Sequence, residues 1–467
     1  MVSAGESSRK SAGDSASEEP SERGPAAPPT FQTGFPIRPG RLVEAATPED
    51  VQEAVAYAGV RGLRVAAHAS GHGLPGPVEG GVLIATRALD SVAVDPVRRT
   101  ARVGAGASWG RVIEAAAPHG LAPLNGSSPS VGAVSSTLGG GLGILAREFG
   151  YAADQVRSLD VVTADGIARR VTPEREPELF WGLRGGGHRL GLVTGMEIGL
   201  VAVERLYGGS IAFDGDRAAG EVVRRYLEWT RTVPDALTSS LAALTYPDMP
   251  QLPEELRGRY VISVRVAFTG DAEEGARLVA PLRAIGAGAK GPDGTVGSPA
   301  PEDSPVLADS LREMPYAESH TIHGDPPFPH AYYGDSAVLG APDAERTVQA
   351  FELAGPRAAM MTVVQLNHLG GALAVEQGAP NAVPYRDARF LLRLLSPLDG
   401  TDVASVRALY GEVGRVLGPL VVGRSLNFSF GGGDRTAGFH EPGTAKRLAG
   451  LVSQYDPAGL FGGPYGA

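Results

Sequence analysis

The chain has 467 residues, a formal net charge of −10, a sequence pI near 5.5 and no cysteine. This length exceeds a usual single core, so we expect two or more domains, large enough together to enclose a cofactor. The acidic balance, the absence of a basic run and the 6% aromatic content exclude a nucleic-acid-binding surface, and the lack of cysteine excludes disulfides, thiolate metal sites and cysteine nucleophiles. The 65 glycines are about twice the average usage of roughly 7%, which favours turns and ligand loops over a helical bundle.

The N-terminal segment, residues 1–35, is polar and rich in Ser, Glu, Ala and Pro. It lacks the apolar core of about 7 to 15 residues that a signal peptide needs, so we predict a disordered tail. No apolar run approaches the roughly 18 residues of a membrane span. The sequence therefore predicts a soluble, cytoplasmic protein with no membrane partner.

The next part of the chain has short elements. Thr47, Pro48 and two acidic residues are typical of a helix start, and Gly59 and Gly62 of its end. Ser108 is a second helix cap, and Asp165-Gly166 indicates a tight hairpin. The predicted strands lie at 63–67, 81–85, 100–104, 158–163 and 167–171.

From residue 206 the pattern changes to longer strands that alternate with amphipathic helices, which predicts one antiparallel sheet backed by helices. Residues 286–305, rich in Gly, Pro and Asp, predict an exposed loop. After Arg424 the chain becomes glycine-rich again, which suggests a return to the first domain. The predicted strands are 260–268, 359–366 and 388–395, and the predicted helices lie near 216–230, 272–285, 342–354 and 402–417.

His72 lies in a turn of small residues, in VAAHASGHGLPGP (65–77), and its imidazole is the only nucleophile of that segment. Two glycine runs follow, TLGGGLG (137–143) and RGGGHRLG (184–191), which expose backbone amides to a pyrophosphate or a flat ring. Neither run has the GxGxxG spacing between a strand and a long helix, so a nicotinamide Rossmann site is not expected.

Five motifs in order carry a family resemblance: ASGHG (69–73), NGSSPSVG (125–132), TLGGGLG (137–143), LRGGGHRLGLVT (183–194) and YDPAGLF (455–461). In these the chain resembles the berberine bridge enzyme-like branch of the vanillyl-alcohol-oxidase superfamily, flavoproteins with a PCMH-type FAD-binding domain. The resemblance is strong over residues 38–205, fair over the last 45 residues, and only one of layout between them.

The resemblance implies an α+β fold with a two-part FAD-binding domain, residues 36–205 plus 425–467, and an inserted substrate domain, residues 206–424. It implies a single covalent bond between His72 and the 8α-methyl of FAD. The other cofactor-binding residues that it implies are Ser70, Gly71, Gly73, Ser127, Ser128, Val131, Gly132, Thr137, Gly139, Gly140, Gly143, Val193 and Asn427.

Three positions depart from the family pattern. Ser128 stands where bicovalent members carry a second flavin-bonding cysteine. Gln365 replaces a glutamate that serves as general base in many members, and an amide cannot accept a proton at neutral pH. Ser425 falls where members often have a tyrosine, two residues before Asn427.

The catalytic candidates are therefore Gln365, Tyr333 and Asn367. Other tyrosines that could replace the missing bases are Tyr332, which lies with Tyr333 in a loop-like run, and Tyr246 and Tyr385, which flank strands. We interpret His368 as structural, because it lies on the opposite strand face from Gln365. His320, His323 and His330 form no convincing ligand set, so no metal is expected.

Three functions follow from these observations. The first is an FAD-linked oxidase or monooxygenase that acts on a small, secondary-metabolite or polyketide-like substrate and uses O2 as electron acceptor. The second keeps the flavin but catalyses cyclisation, elimination or rearrangement, with Gln365 and Asn367 stabilising developing charge. The third is a flavin-binding module without catalysis.

Overall fold

The computed structural model describes residues 27–286, 304–431 and 437–462. The predicted tail falls outside these residues up to position 26, and the predicted loop falls outside them over 287–303. Residues 27–35 differ from the expected disorder. Gln32 is buried and its side chain donates to the backbone carbonyl of Tyr332, so this segment packs against the far part of the chain.

The first part of the chain forms a small two-layer unit of short elements. In chain order they are β1 (Ile37–Arg38), β2 (Arg41–Glu44), α1 (Pro48–Arg61), β3 (Val65–His68), β4 (Val78–Glu79), β5 (Val82–Ala85), β6 (Val92–Asp95), β7 (Thr100–Gly104), α2 (Trp109–Ala116), α3 (Ala133–Leu138), α4 (Ala146–Phe149), β8 (Val156–Val162), β9 (Ala168–Val171), α5 (Pro177–Leu183) and β10 (Leu192–Gly199). Strands β2-β5-β3 make a parallel sheet, β6-β7-β10-β8-β9 an antiparallel one, and β1 pairs with β4.

Helix α1 begins and ends as the sequence predicts. The hydroxyl of Thr47 accepts from the Asp50 backbone N–H at 3.2 Å, and the Asp50 carboxylate accepts from the Thr47 N–H at 2.8 Å, which completes a capping box. Gly62 ends the helix in the left-handed region, at φ 63°. The helix then buries its apolar side against strands β3 and β5.

The second part forms one large antiparallel sheet with helices. Its elements are β11 (Arg205–Asp214), α6 (Gly215–Trp229), β12 (Leu237–Thr245), β13 (Tyr260–Phe268), α7 (Ala272–Arg283), β14 (Val306–Asp309), β15 (Arg312–Pro315), β16 (Tyr332–Leu339), α8 (Ala344–Leu353), β17 (Val363–His368), β18 (Phe390–Pro397), α9 (Val403–Leu417) and β19 (Val421–Gly423). Helix α10 (Pro442–Tyr455) follows them in the chain. The strand order is β14-β11-β13-β12-β17-β18-β16-β19, with β15 beside β11.

The α+β fold class is confirmed, and all eight predicted strands are observed. Two match residue for residue, β7 and β13, whereas β17 begins at Val363 because turns and bends after α8 continue through residue 360. In the described part of the chain, no helix is both long and apolar enough to cross a bilayer.

The two faces of the large sheet have different roles. Alternate side chains of its strands, such as Val264, Leu366 and Leu392, pack into one apolar core with helices α6 to α9. The intervening side chains point the other way and line a cavity. Period-two alternation thus places a polar set of side chains on one face of a sheet whose other face is core.

The chain end returns to the first part. The Val65 N–H donates to the Leu460 carbonyl at 2.8 Å, and Asn427 Nδ2 donates to the Ser136 carbonyl at 2.9 Å. Helix α10 packs Leu451 against α5. These contacts close the small unit around residues from both ends of the chain.

A buried ion pair joins the loop after β17 to the first part. Arg386 Nη2 lies 2.6 Å from Asp154 Oδ1, and the Asp154 side chain is fully buried. Asp154 also accepts from Asn381 Nδ2 at 2.7 Å. Removal of Asp154 would leave both of these donors without their carboxylate partner.

We predict that Asp154→Ala lowers the free energy of unfolding by about 3 kcal/mol, because removal of one member of a buried pair leaves an uncompensated charge. Urea unfolding measures the change. The control is Glu178→Ala, which removes the exposed pair with Arg447 and should cost less than about 1 kcal/mol. Equal costs for the two substitutions would show that the Asp154 pair does not hold this loop.

Candidate active site

A cavity of about 1690 Å³ separates the glycine-rich loops from the polar face of the large sheet. Its volume exceeds the ~300 to 1,000 Å³ typical of a pocket for one drug-sized ligand. One wall comes from the loops around residues 70, 128, 140 and 187, and the other from strands β12, β13, β17 and β18. The space is sufficient for a dinucleotide and a second small molecule.

His72 lies on the loop wall and is fixed on both ring nitrogens. Its Nδ1 is 3.1 Å from Ser70 Oγ, and its Nε2 is 3.0 Å from Ser130 Oγ, which is in turn 2.9 Å from Ser128 Oγ. The Phe31 ring stacks on the imidazole with 3.7 Å between centroids. Burial lowers the pKa of His72 to about 4, so the ring is neutral at neutral pH and keeps a lone pair for bonding.

The loop that carries His72 is shaped by Gly71, which has a φ of 75°. A Cβ at this position would overlap the Thr30 hydroxyl and the His68 ring, so only glycine fits. On the other side, the Tyr332 hydroxyl donates to the His72 carbonyl at 2.6 Å. The loop is therefore held between the N-terminal segment and the large sheet.

The second glycine motif is locked by the C-terminal part of the chain. Gly139 follows α3 and packs so closely on Asn427 that a Cβ would overlap the amide oxygen of that residue. The same amide donates to Ser136, as described above. The motif thus depends on a residue nearly 300 positions away in the sequence.

Most of the predicted cofactor-binding residues line the cavity. Gly132, Thr137 and Gly140 do not, and Thr137 is fully buried with its hydroxyl donating to the Ala133 carbonyl at 2.8 Å. These three support the loop rather than face the cavity. The residues that do line it are His72, Ser70, Gly71, Gly73, Ser127, Ser128, Val131, Gly139, Gly143, Val193 and Asn427.

Gln365 and Asn367 lie side by side on the sheet wall. Gln365 Nε2 donates to Asn367 Oδ1 at 2.8 Å, and Gln365 Oε1 accepts from Arg265 Nη1 at 3.2 Å. Arg393 is the register partner of Gln365 on β18, and its guanidinium lies 4.1 Å from the centre of the Phe428 ring. The position expected to hold a base is thus an amide between two arginines.

Tyr333 is not at the cavity, contrary to its proposal as a catalytic residue. It lies on strand β16, not in a loop, and its side chain points into the core beside helix α9. There its ring packs edge-on against Tyr410, and its hydroxyl accepts from Arg407 at 3.3 Å. The adjacent residue, Tyr332, faces the cavity instead, because side chains alternate along a strand.

The remaining candidate bases are placed as follows. Tyr332 donates its hydroxyl to the His72 carbonyl, and burial raises its pKa above the usual range, so it holds its proton. Tyr246 lines the cavity, whereas Tyr385 lies outside it and donates to the Gly438 carbonyl at 2.9 Å. Ser425 also lies outside the cavity.

The four histidines that the sequence analysis did not assign to the site lie at different places in the structure. His368 is buried at the cavity edge, where its Nε2 is 3.1 Å from Arg147 Nη1, and burial lowers its pKa. His323 and His330 line the cavity, and His320 is exposed. Within residues 27–286, 304–431 and 437–462, no group of three His, Cys, Asp or Glu side chains is placed to hold a metal ion.

Asp325 is a cavity carboxylate that the sequence analysis does not single out. Its Oδ2 accepts from Ser127 Oγ at 2.5 Å, which bridges the sheet side to the loop wall. Desolvation opposes ionisation of Asp325, but neighbouring His323, the Ser127 hydroxyl and Arg265 with Arg393 outweigh it and lower its pKa. The carboxylate is therefore ionised at neutral pH and is a weak proton acceptor.

Four other site residues were missed: Phe31, His68, Arg265 and Arg393. Phe31 lies in the segment predicted to be disordered. The two arginines had a visible signal, because each is the only charged residue in the interior of an apolar strand, YVISVRVAF and FLLRLLSP. A charged residue in such a strand indicates that one face of the sheet is polar and is not packed into the core.

Comparison with known proteins supports this interpretation. Residues 39–172 match the family model described as FAD binding domain. The chain is 30% identical over 260 residues to (R)-6-hydroxynicotine oxidase of Paenarthrobacter nicotinovorans, covering 53% of each chain. It is 34% identical over 176 residues to the FAD-dependent monooxygenase FUP4 of Fusarium proliferatum, covering 37% of this chain and 34% of the relative. The matches thus span about half, or less, of the curated relatives' length.

The fold is similar over nearly the whole chain to that of solved oxidases. Xylooligosaccharide oxidase from Myceliophthora thermophila C1 has a TM-score of 0.78 at 21% identity, covering 93% of this chain and 92% of that one. Glucooligosaccharide oxidase from Acremonium strictum, described with 6-S-cysteinyl, 8α-N1-histidyl FAD, has a TM-score of 0.74 at 18% identity, covering 92% of each. The resemblance read from the five motifs is confirmed, because residues 39–172 match an FAD binding domain and the relatives by sequence include FAD-dependent monooxygenases.

Burial of His68 gives a pH prediction. Desolvation, helped by the charge of Arg87, lowers its pKa from 6.5 to about 4 in the folded protein. Between these values the unfolded chain binds a proton that the folded chain does not, so stability falls as pH drops from about 6.5 to 4.

We therefore expect His68→Gln to flatten the decline of unfolding free energy between pH 7 and 5, measured by urea titration at each pH. His119→Gln, at an exposed position, is the control and should keep the wild-type slope. If the unfolding free energy of the His68 variant fell with pH as steeply as that of the wild type, the His68 imidazole would not be neutral and buried as described.

Proposed function

From an FAD binding domain in residues 39–172 and the fold of flavoprotein oxidases, we propose that this chain is an FAD-dependent oxidase or monooxygenase of a small organic substrate. The observation that carries the proposal is the neutral imidazole of His72 on the wall of a cavity of about 1690 Å³. We also propose the division into an FAD-binding domain, residues 36–205 plus 425–467, and a substrate domain, residues 206–424.

The residues present fit FAD. The loop wall consists of small residues that let a flat ring approach, and His68 Nε2 is a buried cavity atom without a hydrogen-bond partner in the described residues. His72 would form the covalent bond, because its ring is oriented by Ser70 and Ser130 and is unprotonated. FAD, when bound, supplies two-electron oxidation chemistry and passes the electrons to O2 in the oxidase form.

A single bond to the flavin follows from the side chains around His72. Ser128 and Ser130 supply hydroxyls where a thiol would be needed for a second bond, and the chain has no cysteine. The hydroxyl chain from His72 through Ser130 to Ser128 offers a path for the imidazole proton when the bond forms.

The substrate would lie between the flavin and the sheet wall. Gln365 cannot serve as a base, Tyr332 holds its proton, and Asp325 is stabilised as a carboxylate, so none of these three side chains is a strong proton acceptor. This favours substrates that need no base at the reacting oxygen, and it is compatible with the monooxygenase chemistry named for the fungal relative. A polyketide-like substrate with an acidic hydroxyl is one such class.

The amide pair Gln365–Asn367 favours a second candidate, a flavin-containing enzyme of non-redox cyclisation, elimination or rearrangement. Oxygen uptake during turnover separates the two. Product formation with stoichiometric loss of O2 supports the oxidase or monooxygenase, and product formation without it supports the second candidate.

We predict that His72→Ala releases its flavin on acid precipitation, because no other described side chain takes the place of the imidazole. The yellow colour should move from the wild-type pellet to the supernatant of the variant. His330→Ala removes another cavity histidine and should leave the colour in the pellet. Acid-stable yellow in the His72→Ala pellet would refute attachment at His72.

A second variant tests how Ser128 faces the flavin. We predict that Ser128→Cys in the His72→Ala background restores acid-stable flavin, since the new thiol would stand where bicovalent relatives attach theirs. Ser135→Cys, also at the cavity, is the matched control and should restore none. Free flavin in both double variants would place Ser128 away from the ring.

A further inference from the structure

Resting on the proposed function, we infer that the substrate site takes an oxyanion, a carboxylate or an ionised hydroxyl on an apolar body, held by Arg265 and Arg393 beside Gln365. These three side chains lie on the sheet wall of the cavity, opposite the loop that carries His72.

The two arginines converge although three strand spacings separate their backbones, in the order β13-β12-β17-β18. Arg265 crosses the intervening strand at Ser240, its register partner, and reaches Gln365 Oε1 at 3.2 Å. Arg393 is adjacent to Gln365 on the other side. Only a small side chain at position 240 permits this crossing.

The protein balances the positive charge on this wall only in part. Among the described residues, neither arginine has a carboxylate within ion-pair distance, and Asp325, which accepts from the Ser127 hydroxyl, interacts electrostatically with both of them. The region therefore has two guanidinium groups and one carboxylate. Desolvation lowers the pKa of Arg393 to about 10, so this guanidinium remains charged at neutral pH. Arg265 is treated as charged because a guanidinium keeps its proton in proteins. A buried charge without a partner is costly, which favours a ligand that supplies the missing anion.

One buried polar atom on this wall lacks a hydrogen-bond partner. Ser240 Oγ is buried, faces the same region and has no hydrogen-bond partner in the described part of the chain. A hydroxyl and two guanidinium groups can all donate to a carboxylate or a phenolate oxygen, and hydrogen bonds to an ionised acceptor are the stronger ones.

The oxyanion also accounts for the missing base. A substrate bound in its ionised form has already released its proton to water, and the two arginines lower the pKa of an acidic hydroxyl that they contact. Gln365 then orients the guanidinium of Arg265 and accepts no proton. The surrounding apolar side chains fit an aromatic or conjugated body: Met249, Leu252, Met360, Met361, Leu395 and Pro397.

The test uses purified, flavin-loaded protein and calorimetric titration with benzoate and with benzamide, its neutral counterpart. We expect benzoate to bind at least tenfold more tightly. Arg393→Gln and Arg265→Gln should each remove that preference, Arg393→Lys should restore part of it, and Arg231→Gln, at an exposed position, should keep it in full. We expect the Arg393→Gln variant to fold, since no hydrogen bond between strands of the described sheet involves that side chain.

A parallel titration with 4-nitrophenol distinguishes a carboxylate site from a site for an ionised hydroxyl, because the absorbance of this compound reports whether its hydroxyl is ionised. Tight binding of benzoate alone assigns a carboxylate, and binding of the nitrophenolate form, with its apparent pKa lowered, assigns an ionised hydroxyl. Equal affinity for benzoate and benzamide, binding of neither, or a preference that survives in both arginine variants would overturn the inference. Protein purified without flavin would count against the proposed function, but the effect of the arginine variants on benzoate would still decide this inference.

Discussion

The imidazole of His72 is enclosed by two serine hydroxyls and a phenyl ring, and this enclosure keeps it unprotonated at neutral pH. A protonated imidazole could not form a bond to a cofactor, so the chemistry of the site depends on the burial of this ring. The enclosure needs distant parts of the chain together. Phe31 comes from the N-terminal segment, Ser130 from a glycine-rich loop, and Tyr332, which holds the loop backbone, from the large sheet.

The large sheet supplies the other half of the site through a simple periodicity. One set of alternate side chains packs on helices α6 to α9, and the other set faces the cavity. Since the cavity lies against this second face, its polar and charged side chains are available to a ligand. Gln365 is uncharged, and the neighbouring Arg265 and Arg393 share Asp325 as the nearby carboxylate. The proposed preference for an oxyanion follows from this excess of positive charge.

Much of the fold could be predicted from local patterns. The cap at Thr47, the αL glycine at Gly62 and the long apolar run of β13 each determine their element by interactions within a few residues. The flavin-side loops could be predicted because glycine and histidine at fixed spacing have few alternative uses. Contacts between segments that are distant in the sequence could not be predicted in this way. Phe31 was assigned to a disordered tail, since its stacking partner lies 41 positions away. Tyr333 was preferred to Tyr332, since two adjacent tyrosines do not reveal which of them faces the core. The converging arginines required the strand order, which no local pattern contains.

Attachment of the flavin at His72 is tested most directly by mass spectrometry of the tryptic peptide of residues 65–87 from wild-type protein, which contains both His68 and His72. We predict that this peptide carries the mass of one FAD and that fragmentation places the flavin on His72. An unmodified peptide, or a flavin on His68, would contradict the central role assigned to the His72 imidazole.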